Sequence, residues 1–169
     1  MAENARSADD RAGSAEALTA QGAATLPGLL GIAITAVVPG HIEARLPVRP
    51  ELMAPNGYLH AASIVALADT ACGYGVLATL PPGSTGFTTI ELKSNFFGTV
   101  REGIIACDAS MLHGGRTTQV WDACVTDRMS GKTVAVFRCT QLLLYGKHDL
   151  NITATDDHPP ASADEEQVG

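Results

Sequence analysis

The chain has 169 residues, 46% of them hydrophobic, and a formal net charge of −7. This length and composition predict one domain with a substantial core. The acidic excess lies at the ends: residues 1–24 carry two basic and four acidic groups, residues 146–169 carry one and six, and residues 25–145 carry eight of each. No clustered basic surface is indicated, so nucleic-acid binding is not expected.

The two ends of the chain are predicted to differ from its middle. Residues 1–24 are rich in Ala, Ser, Gly and charge, which favours a mobile arm with at most a frayed helix. They lack a basic start followed by an apolar run, so no secretory signal is predicted and the cytoplasm is the expected location. The folded domain is expected over residues 25–145, followed by an acidic disordered tail over residues 146–169.

A hairpin and a long helix are predicted next. Two β-branched runs, GIAITAVV and HIEARLPV, flank the Pro39-Gly40 turn. The segment from Ala61 to Thr79 is rich in Ala and Leu, follows Asn-Gly turn chemistry and ends before two prolines, so it is predicted to be a helix. It is apolar nearly all round, which indicates a helix enclosed by other elements rather than a confident membrane span.

Four extended stretches follow the helix. Turn residues separate them, and short turns between consecutive strands indicate antiparallel pairing. We therefore predict a hairpin, one long buried helix and a four-stranded meander, which makes an α+β sheet wrapped around a single helix. In the third stretch, alternation places Trp121 in the core rather than on a ligand platform. The four stretches are Gly86–Phe97, Gly103–Leu112, Thr117–Asp127 and Lys132–Tyr145.

Metal binding and redox chemistry are not predicted. The four cysteines are 35, 17 and 15 residues apart, with no C-x-x-C and no neighbouring histidine cluster. They are interpreted as small apolar core residues. The five histidines also lack metal-ligand spacing, so we expect no metal and no cofactor.

Asp69 is the main candidate for chemistry. Apart from Cys and Tyr, it is the only ionisable residue between His60 and Glu91. Nine residues separate His60 from Asp69, which on one helix is about 900° of rotation and roughly 13 Å of rise. If the two cooperate, the aspartate must come from a second copy of the chain, so a homodimer with two shared sites is the simplest assembly. The alternative is that Asp69 is a solvated polar position and His60 an ordinary helix-start residue.

The predicted helix start offers an anion site. The amide of Ala61 would lack an intrahelical partner and lie at the positive end of the helix dipole, where it can stabilise an oxyanion. Asp69 of the neighbouring subunit could then act as a nucleophile or a base, which describes acyl transfer to water. No G-x-S-x-G sequence is present. The His113-Gly114-Gly115-Arg116-Thr117 run fits either a phosphate-binding loop or a plain Gly-Gly turn with an exposed arginine.

Three sequence stretches carry a family resemblance: GYLHAA with the later Ala68-Asp69, ELKSNFFGTVREG, and LHGGRTTQVWD. In this order they resemble the hotdog-fold acyl-CoA thioesterases, in particular the phenylacetate-pathway (PaaI-like) and 4-hydroxybenzoyl-CoA types, over about residues 28–145. The resemblance implies an acyl-CoA substrate and a homodimer as minimal unit, expected to form a homotetramer. It implies that Asp69 is the catalytic carboxylate, that the Ala61 amide forms the oxyanion hole, and that His60 shapes the helix entrance.

Asn56 lies near the position of the family's Gln or Asn without matching it, and is a weaker candidate for holding substrate. The same resemblance implies substrate or CoA binding for Gly73, Thr89, Phe96, Phe97, Gly98, Thr99, Gly114, Gly115, Arg116, Thr117, Thr118 and Gln119.

Four positions depart from the family pattern. Ala54 stands where a Gln or Asn is usual, Ala61 where a Gly is usual, Gly73 where a Ser or Thr is common, and Gly98 where some relatives use a basic residue on CoA phosphate. The predicted function is hydrolysis of an acyl- or aryl-CoA thioester. Because of these departures, an acyl-CoA-binding protein with little or no hydrolysis stays the alternative. A dehydratase is a weaker third hypothesis, since its His and acid pattern is not visible.

Overall fold

The computed structural model describes residues 13–146. The predicted acidic tail from residue 147 onward, and residues 1–12 of the predicted arm, lie outside the described residues. In chain order the helices are α1 (Ala15–Gln21), α2 (Leu26–Leu30) and α3 (Ala61–Ala78). The strands are β1 (Ala33–Val38), β2 (His41–Pro47), β3 (Ser84–Phe96), β4 (Ile104–Gly114), β5 (Thr118–Asp127) and β6 (Thr133–Tyr145).

The strands form one antiparallel sheet in the order β1-β2-β4-β5-β6-β3, and α3 packs against its inner face. This confirms the predicted α+β architecture of a sheet around one helix. Alternating residues of β5 are buried, including Trp121, as the period-2 pattern predicted. By length and composition alone α3 would be a candidate membrane span, but more than half of it is buried inside this chain. It is therefore the core helix.

The predicted four-stranded meander was wrong in one respect. Only β4, β5 and β6 follow one another, while β3 pairs with β6 at the edge of the sheet. The chain after β3 stays with β6 because the amides of Phe97 and Gly98 both donate to the carbonyl of Val134. It then crosses the end of the sheet, where the carbonyl of Val100 accepts from Leu59 and that of Gly103 from Val48. These bonds hold the connection as it passes the ends of β6 and β5 to reach β4.

Helix α1 lies inside the segment predicted as a mobile arm. The Ser14 side chain caps it by accepting from the amide of Ala17, and Leu18 is 6% exposed. The hydroxyl of Thr19 accepts from the amide of Ile34 at 2.9 Å, which ties α1 to β1. The prediction allowed a frayed helix in this arm, and the structure has a capped helix at Ala15–Gln21 that the buried Leu18 and the Thr19 hydrogen bond hold against β1.

Helix α3 begins and ends where its capping residues stand. The Nδ1 atom of His60 accepts from the amide of Ala62 at 3.0 Å, and the hydroxyl of Ser63 donates to the carbonyl of Leu52. At the other end the hydroxyl of Thr79 donates to the carbonyl of Gly75 at 2.8 Å. The bonds of His60 and Thr79 satisfy helix-end groups that would otherwise lack partners, and the Ser63 bond holds the helix start to the preceding loop.

Candidate active site

Asp69 is half-buried on α3 and lines a cavity of about 340 Å³. Burial raises the pKa of its carboxyl above the ordinary 3.8, and a hydrogen bond from the Thr89 hydroxyl partly opposes this. The Asp69 carboxyl group is therefore partly removed from solvent, and no salt bridge within the described residues neutralises its charge. The cavity is lined by Gln21, Thr25, Pro27, Asp69, Thr70, Gly73, Tyr74, Leu77 and Phe87.

Gly73, predicted to contact substrate, stands in this cavity. A β-carbon added at Gly73 would lie 3.0 Å from Cζ of Phe87, so the glycine leaves room for that ring. Within the described chain, the residues that line the cavity come from α3, β3 and the N-terminal segment that holds α1 and α2. The contribution of residues 21–27 was missed by sequence reasoning, because their composition resembles a solvated arm.

Thr89, also predicted to bind substrate, lies directly beside Asp69. Its Oγ1 is 3.5 Å from Oδ1 of Asp69 and 3.0 Å from Oε1 of Gln141. Gln141 is fully buried, and sequence reasoning did not select it. Strand alternation could have indicated that Gln141 is buried, because it lies two residues from each of the buried Cys139 and Leu143 and so shares their face of β6.

The start of α3 offers one open donor. Ala61 is exposed, and its amide has no hydrogen-bond partner among residues 13–146. The next amide, that of Ala62, is taken by Nδ1 of His60. This bond requires an unprotonated Nδ1 and holds the imidazole ring over the helix end. The Ala61 amide is therefore free to receive a ligand oxygen at the positive end of the helix dipole.

Asp69 and Ala61 do not meet within one protomer. Both belong to the same helix, and nine residues separate Asp69 from its N-cap His60. Helix geometry puts that spacing at about 13 Å of rise and half a turn. The carboxylate lines the cavity beside α1 and α2, whereas the helix start is held by Leu52.

Asn56 lies at the exposed tip of the loop before α3. Its Oδ1 accepts from the amide of Tyr58 at 3.3 Å, and the loop is closed by the bridge between Met53 and Leu59. Gly57 has φ +79°, as the Asn-Gly pattern predicted. The Asn56 side chain is therefore committed in part to its own turn, outside the helix start.

The remaining predicted ligand residues form two groups at opposite ends of the sheet. One group is the exposed segment Phe96–Thr99, and Phe96 pairs with Ala135 of β6. The other is Gly114–Gln119, where Thr118 pairs with Leu142. Seven residues of β6 separate these two pairing points, a distance of about 23 Å. One protomer cannot place both groups around one small molecule's thioester.

The group at Gly114–Gln119 is a tight turn. The amide of Gly115 donates to the carbonyl of Thr118, and the hydroxyl of Tyr145 donates to the carbonyl of Arg116. Arg116 is exposed and has no salt bridge within the described chain.

Gln119 differs from the prediction, because it is 2% exposed and its side chain bonds Thr79 and Trp121 inside the core.

Another cluster of side chains lies on the outer face of the sheet. Ligand atoms of His41, Glu43 and Asp108 all lie within 4.8 Å of one another. Sequence spacing did not indicate this group, because Asp108 comes from β4, in register with Glu43. Glu43 and Asp108 are exposed, and exposed acidic groups are common without an ion. The cluster is remote from Asp69 and supplies nothing to the cavity.

Comparisons with known proteins agree with this architecture. The model of the thioesterase superfamily matches residues 56–139. A 1,4-dihydroxy-2-naphthoyl-CoA hydrolase of Listeria monocytogenes is 32% identical over 111 residues, which cover 66% of this chain and 89% of that protein.

Solved structures show the same similarity. A mutant thioesterase from Pseudomonas aeruginosa superposes with a TM-score of 0.75 at 27% identity, covering 79% of this chain and 96% of that chain. A thioesterase from Haemophilus influenzae gives a TM-score of 0.75 at 28% identity, covering 80% and 95%.

Proposed function

Because this chain belongs to the thioesterase superfamily and is a thioester hydrolase, we propose that it cleaves an acyl- or aryl-CoA thioester into a carboxylic acid and CoA. The observation that carries this proposal is that one helix presents two groups suited to this reaction, Asp69 half-buried on a cavity wall and an unpartnered amide at Ala61, which two copies of the chain could bring together. The proposed location is the cytoplasm.

The proposed chemistry divides between these two groups. The thioester carbonyl oxygen accepts from the Ala61 amide, which stabilises the charge that develops on that oxygen as the tetrahedral intermediate forms. Asp69 of a second protomer attacks the carbonyl carbon or removes a proton from the attacking water. The thiolate of CoA then leaves. If water attacked, the carboxylic acid is released directly; if Asp69 attacked, water next hydrolyses the acyl-aspartyl anhydride, which releases the acid and restores the carboxylate. His60 keeps the neighbouring amide occupied, so that a single donor faces the substrate.

The edge strand β3 supports assembly of two protomers. It has 13 residues and, in the described chain, a hydrogen-bonded partner on one side only, namely β6. Its side chains include exposed Ile90, Leu92 and Phe96. An exposed apolar edge strand of this length is a template for pairing with a second copy. A homodimer is the proposed minimal unit, with a homotetramer made of two such dimers.

Antiparallel pairing of two β3 strands about a two-fold axis would also join the separated groups. It would bring the Phe96 end of one protomer beside the Ser84 end of the other, where the Gly114–Thr118 turn lies. The helix start of one protomer would then face Asp69 of its partner. Arg116 and the Phe96–Thr99 segment are the proposed contacts for CoA, the first through phosphate charge and the second through exposed apolar surface.

The cavity beside Asp69 is the proposed site for the acyl group. Its volume of about 340 Å³ lies near the lower end of the range for small-molecule pockets. Phe87 and Tyr74 give it aromatic walls, and Thr25 and Gln21 add polar groups. The Listeria relative is named for a bicyclic aromatic acyl group. We therefore propose aryl-CoA thioesters as the first substrates to test.

The test is an assay of Asp69→Ala and Asp69→Asn on a panel of aryl- and alkyl-CoA thioesters, with free thiol as the readout. Loss of thiol release supports the proposal, provided that Asp108→Ala, an exposed carboxylate on the outer sheet face, stays active. Turnover that is unchanged in both Asp69 variants removes the mechanism. Calorimetric binding of the same thioesters without turnover by the native chain would instead support the binding-protein alternative.

A further inference from the structure

Three polar side chains form a row across the otherwise apolar inner face of the sheet. Gln119 of β5 and Thr89 of β3 both pair in register with Gln141 of β6. Gln119 is 2% exposed and Gln141 is fully buried. Burying uncharged polar groups is costly unless their hydrogen bonds are made, so each member of the row needs a partner.

The two glutamines act at different places along α3, Gln119 at its C-terminal end and Gln141, through Thr89, at Asp69 in its middle. Gln119 bonds Thr79 and the indole of Trp121, and these bonds fix the C-terminal end of the helix. Gln141 instead accepts from the Thr89 hydroxyl at 3.0 Å and donates to the sulfur of Cys139 at 3.2 Å. The row therefore ends, through Thr89, at the carboxylate of Asp69.

We infer that Thr89, held in place by Gln141, is a positioning residue that orients the Asp69 carboxylate and stabilises its ionised form. The inference rests on the proposed role of Asp69. It also assigns Thr89 a task other than the substrate contact that the family resemblance implies. Its basis is geometric: one hydroxyl lies between a half-buried carboxylate and a fully buried amide.

The hydrogen bonds that link Asp69, Thr89, Gln141 and Cys139 can run in either of two directions. A threonine hydroxyl has one hydrogen, whereas a glutamine amide both donates and accepts. When Asp69 is protonated, it donates to Thr89, Thr89 to Gln141, and Gln141 to the Cys139 sulfur. When Asp69 is ionised, rotation of the Gln141 amide by half a turn lets every bond reverse, so that Thr89 donates to the carboxylate. The two states differ by the one proton that Asp69 releases to solvent when it ionises, while Thr89, Gln141 and Cys139 keep their own hydrogens and only reorient them.

Other titratable groups around Asp69 are few within the described residues. They are Cys72 on the same helix, Cys139 on β6 and Tyr74 on the cavity wall. A hydrogen bond to Cys139, together with burial, raises the pKa of Cys72, and burial raises the pKa of Tyr74. The Cys72 thiol and the Tyr74 phenol are therefore uncharged near neutral pH. The bonds that Cys72 and Gln141 donate lower the pKa of Cys139, so its titration must be separated from that of Asp69.

The experiment compares Thr89→Val with Thr89→Ser. Valine keeps the branched shape that suits a strand and removes the hydroxyl, while serine restores it. Two readouts are used: the pH dependence of kcat and KM, and the carboxyl ¹³C shift of Asp69 titrated in the resting protein. The signal is assigned with Asp69→Asn, which also separates it from Cys139.

For Thr89→Val we expect a kcat about tenfold lower, the size expected for losing a hydrogen bond to a charged group, with KM within about twofold. The Asp69 titration should move to higher pH, because the bond that favours the ionised form is lost. Thr89→Ser should recover both values. Thr88→Val is the matched control, since Thr88 is the preceding residue of β3 and its side chain is exposed on the opposite face.

A second variant guards against loss of folding. Thr89→Val leaves an acceptor of Gln141 unpaired, whereas Thr89→Val combined with Gln141→Met replaces the pair by apolar groups of similar shape. Because Gln141 acts only through Thr89, Gln141→Met should alter the Asp69 titration in the native background and leave it unchanged in the Thr89→Val background. An equal effect in both backgrounds overturns the inference.

An Asp69 titration and a kcat that match the native values in Thr89→Val also overturn the inference. The proposed function fails separately, if Asp69→Asn retains native turnover. In that case the ¹³C titration still decides whether Thr89 controls the carboxylate, because it needs no substrate.

Discussion

The indole ring of Trp121 occupies the space that Gly75 leaves on α3: a β-carbon at Gly75 would lie 2.4 Å from Cη2 of the ring. The ring is fully buried, and its Nε1 donates to Oε1 of Gln119 at 2.9 Å, so it has no room to move. The small residues of α3 are thus used in two ways. Gly75 lets the helix approach the sheet, whereas Gly73 borders the cavity.

Gly75→Ala should therefore destabilise the fold. Overpacking a closed core costs about 3 kcal/mol, and about 1 kcal/mol returns from the better helix propensity of alanine. The expected net loss of about 2 kcal/mol would be measured as a lower midpoint of urea unfolding. Gly73→Ala is the control: its methyl group meets the tip of Phe87, which borders a cavity and can shift. Equal midpoints for native protein and Gly75→Ala would contradict the packing argument.

Ala61→Pro should abolish hydrolysis while keeping the fold. Proline is well accommodated at the first position of a helix, and the φ of −64° and ψ of 137° at His60 suit a residue that precedes proline. The substitution removes one donor, the amide that we assign to the oxyanion. Loss of such a donor lowers kcat by about 100-fold or more.

Ala61→Gly provides the matching control, because it keeps the amide and supplies the residue usual in the family. It should retain activity. Thermal unfolding would verify that both variants are folded. Native kcat in a folded Ala61→Pro protein would exclude this amide from the reaction.

Subunit mixing tests whether the site is shared. Asp69→Ala and Ala61→Pro protomers are each expected to be inactive as homodimers. In a mixed dimer, the Ala61→Pro protomer supplies Asp69 and the other supplies the Ala61 amide, so one of the two sites is intact. Random pairing should restore about one quarter of native activity.

The measurement is thiol release after co-refolding at equal concentrations, with each variant refolded alone as a control. Mixtures that stay as inactive as their components would point to a site contained in one protomer. A native chain that elutes as a stable monomer would exclude the shared site directly.

Asp69→Asn should stabilise the protein at neutral pH. Burial raises the folded-state pKa of this carboxyl above its ordinary 3.8, so the folded chain binds the proton more tightly than the unfolded chain. Stability is therefore lost as the pH rises through the interval between the two pKa values, and asparagine avoids this loss. The gain should shrink as the pH is lowered toward 4.

Denaturant unfolding at a fixed protein concentration, repeated from pH 4 to 8, measures this difference. Asp108→Asn, on the exposed outer face, is the control for removing a carboxylate that is not buried. A destabilised Asp69→Asn protein at pH 7 would mean that the ionised carboxylate is held by favourable contacts that outweigh its burial.

Sequence alone determined the central helix and the strands, and it selected the residues that we propose for the site. Hydrophobic periodicity, Gly and Pro punctuation and the apolar run of α3 gave the helix and strands, because these signals are local. Asp69 was distinguished by being a single carboxylate in an apolar helix, and helix geometry separated it from His60 without any coordinates.

Only the tertiary structure decided which strands are neighbours and what lies behind Asp69. Pairing of β3 with β6 depends on hydrogen bonds between residues far apart in the chain, and no local pattern encodes such partners. For the same reason Gln119, which the family resemblance placed in a ligand loop, is a core residue, and Gln141 meets Thr89 on the neighbouring strand. Side chains converge through strand register, which is settled by the packing of the whole sheet against α3.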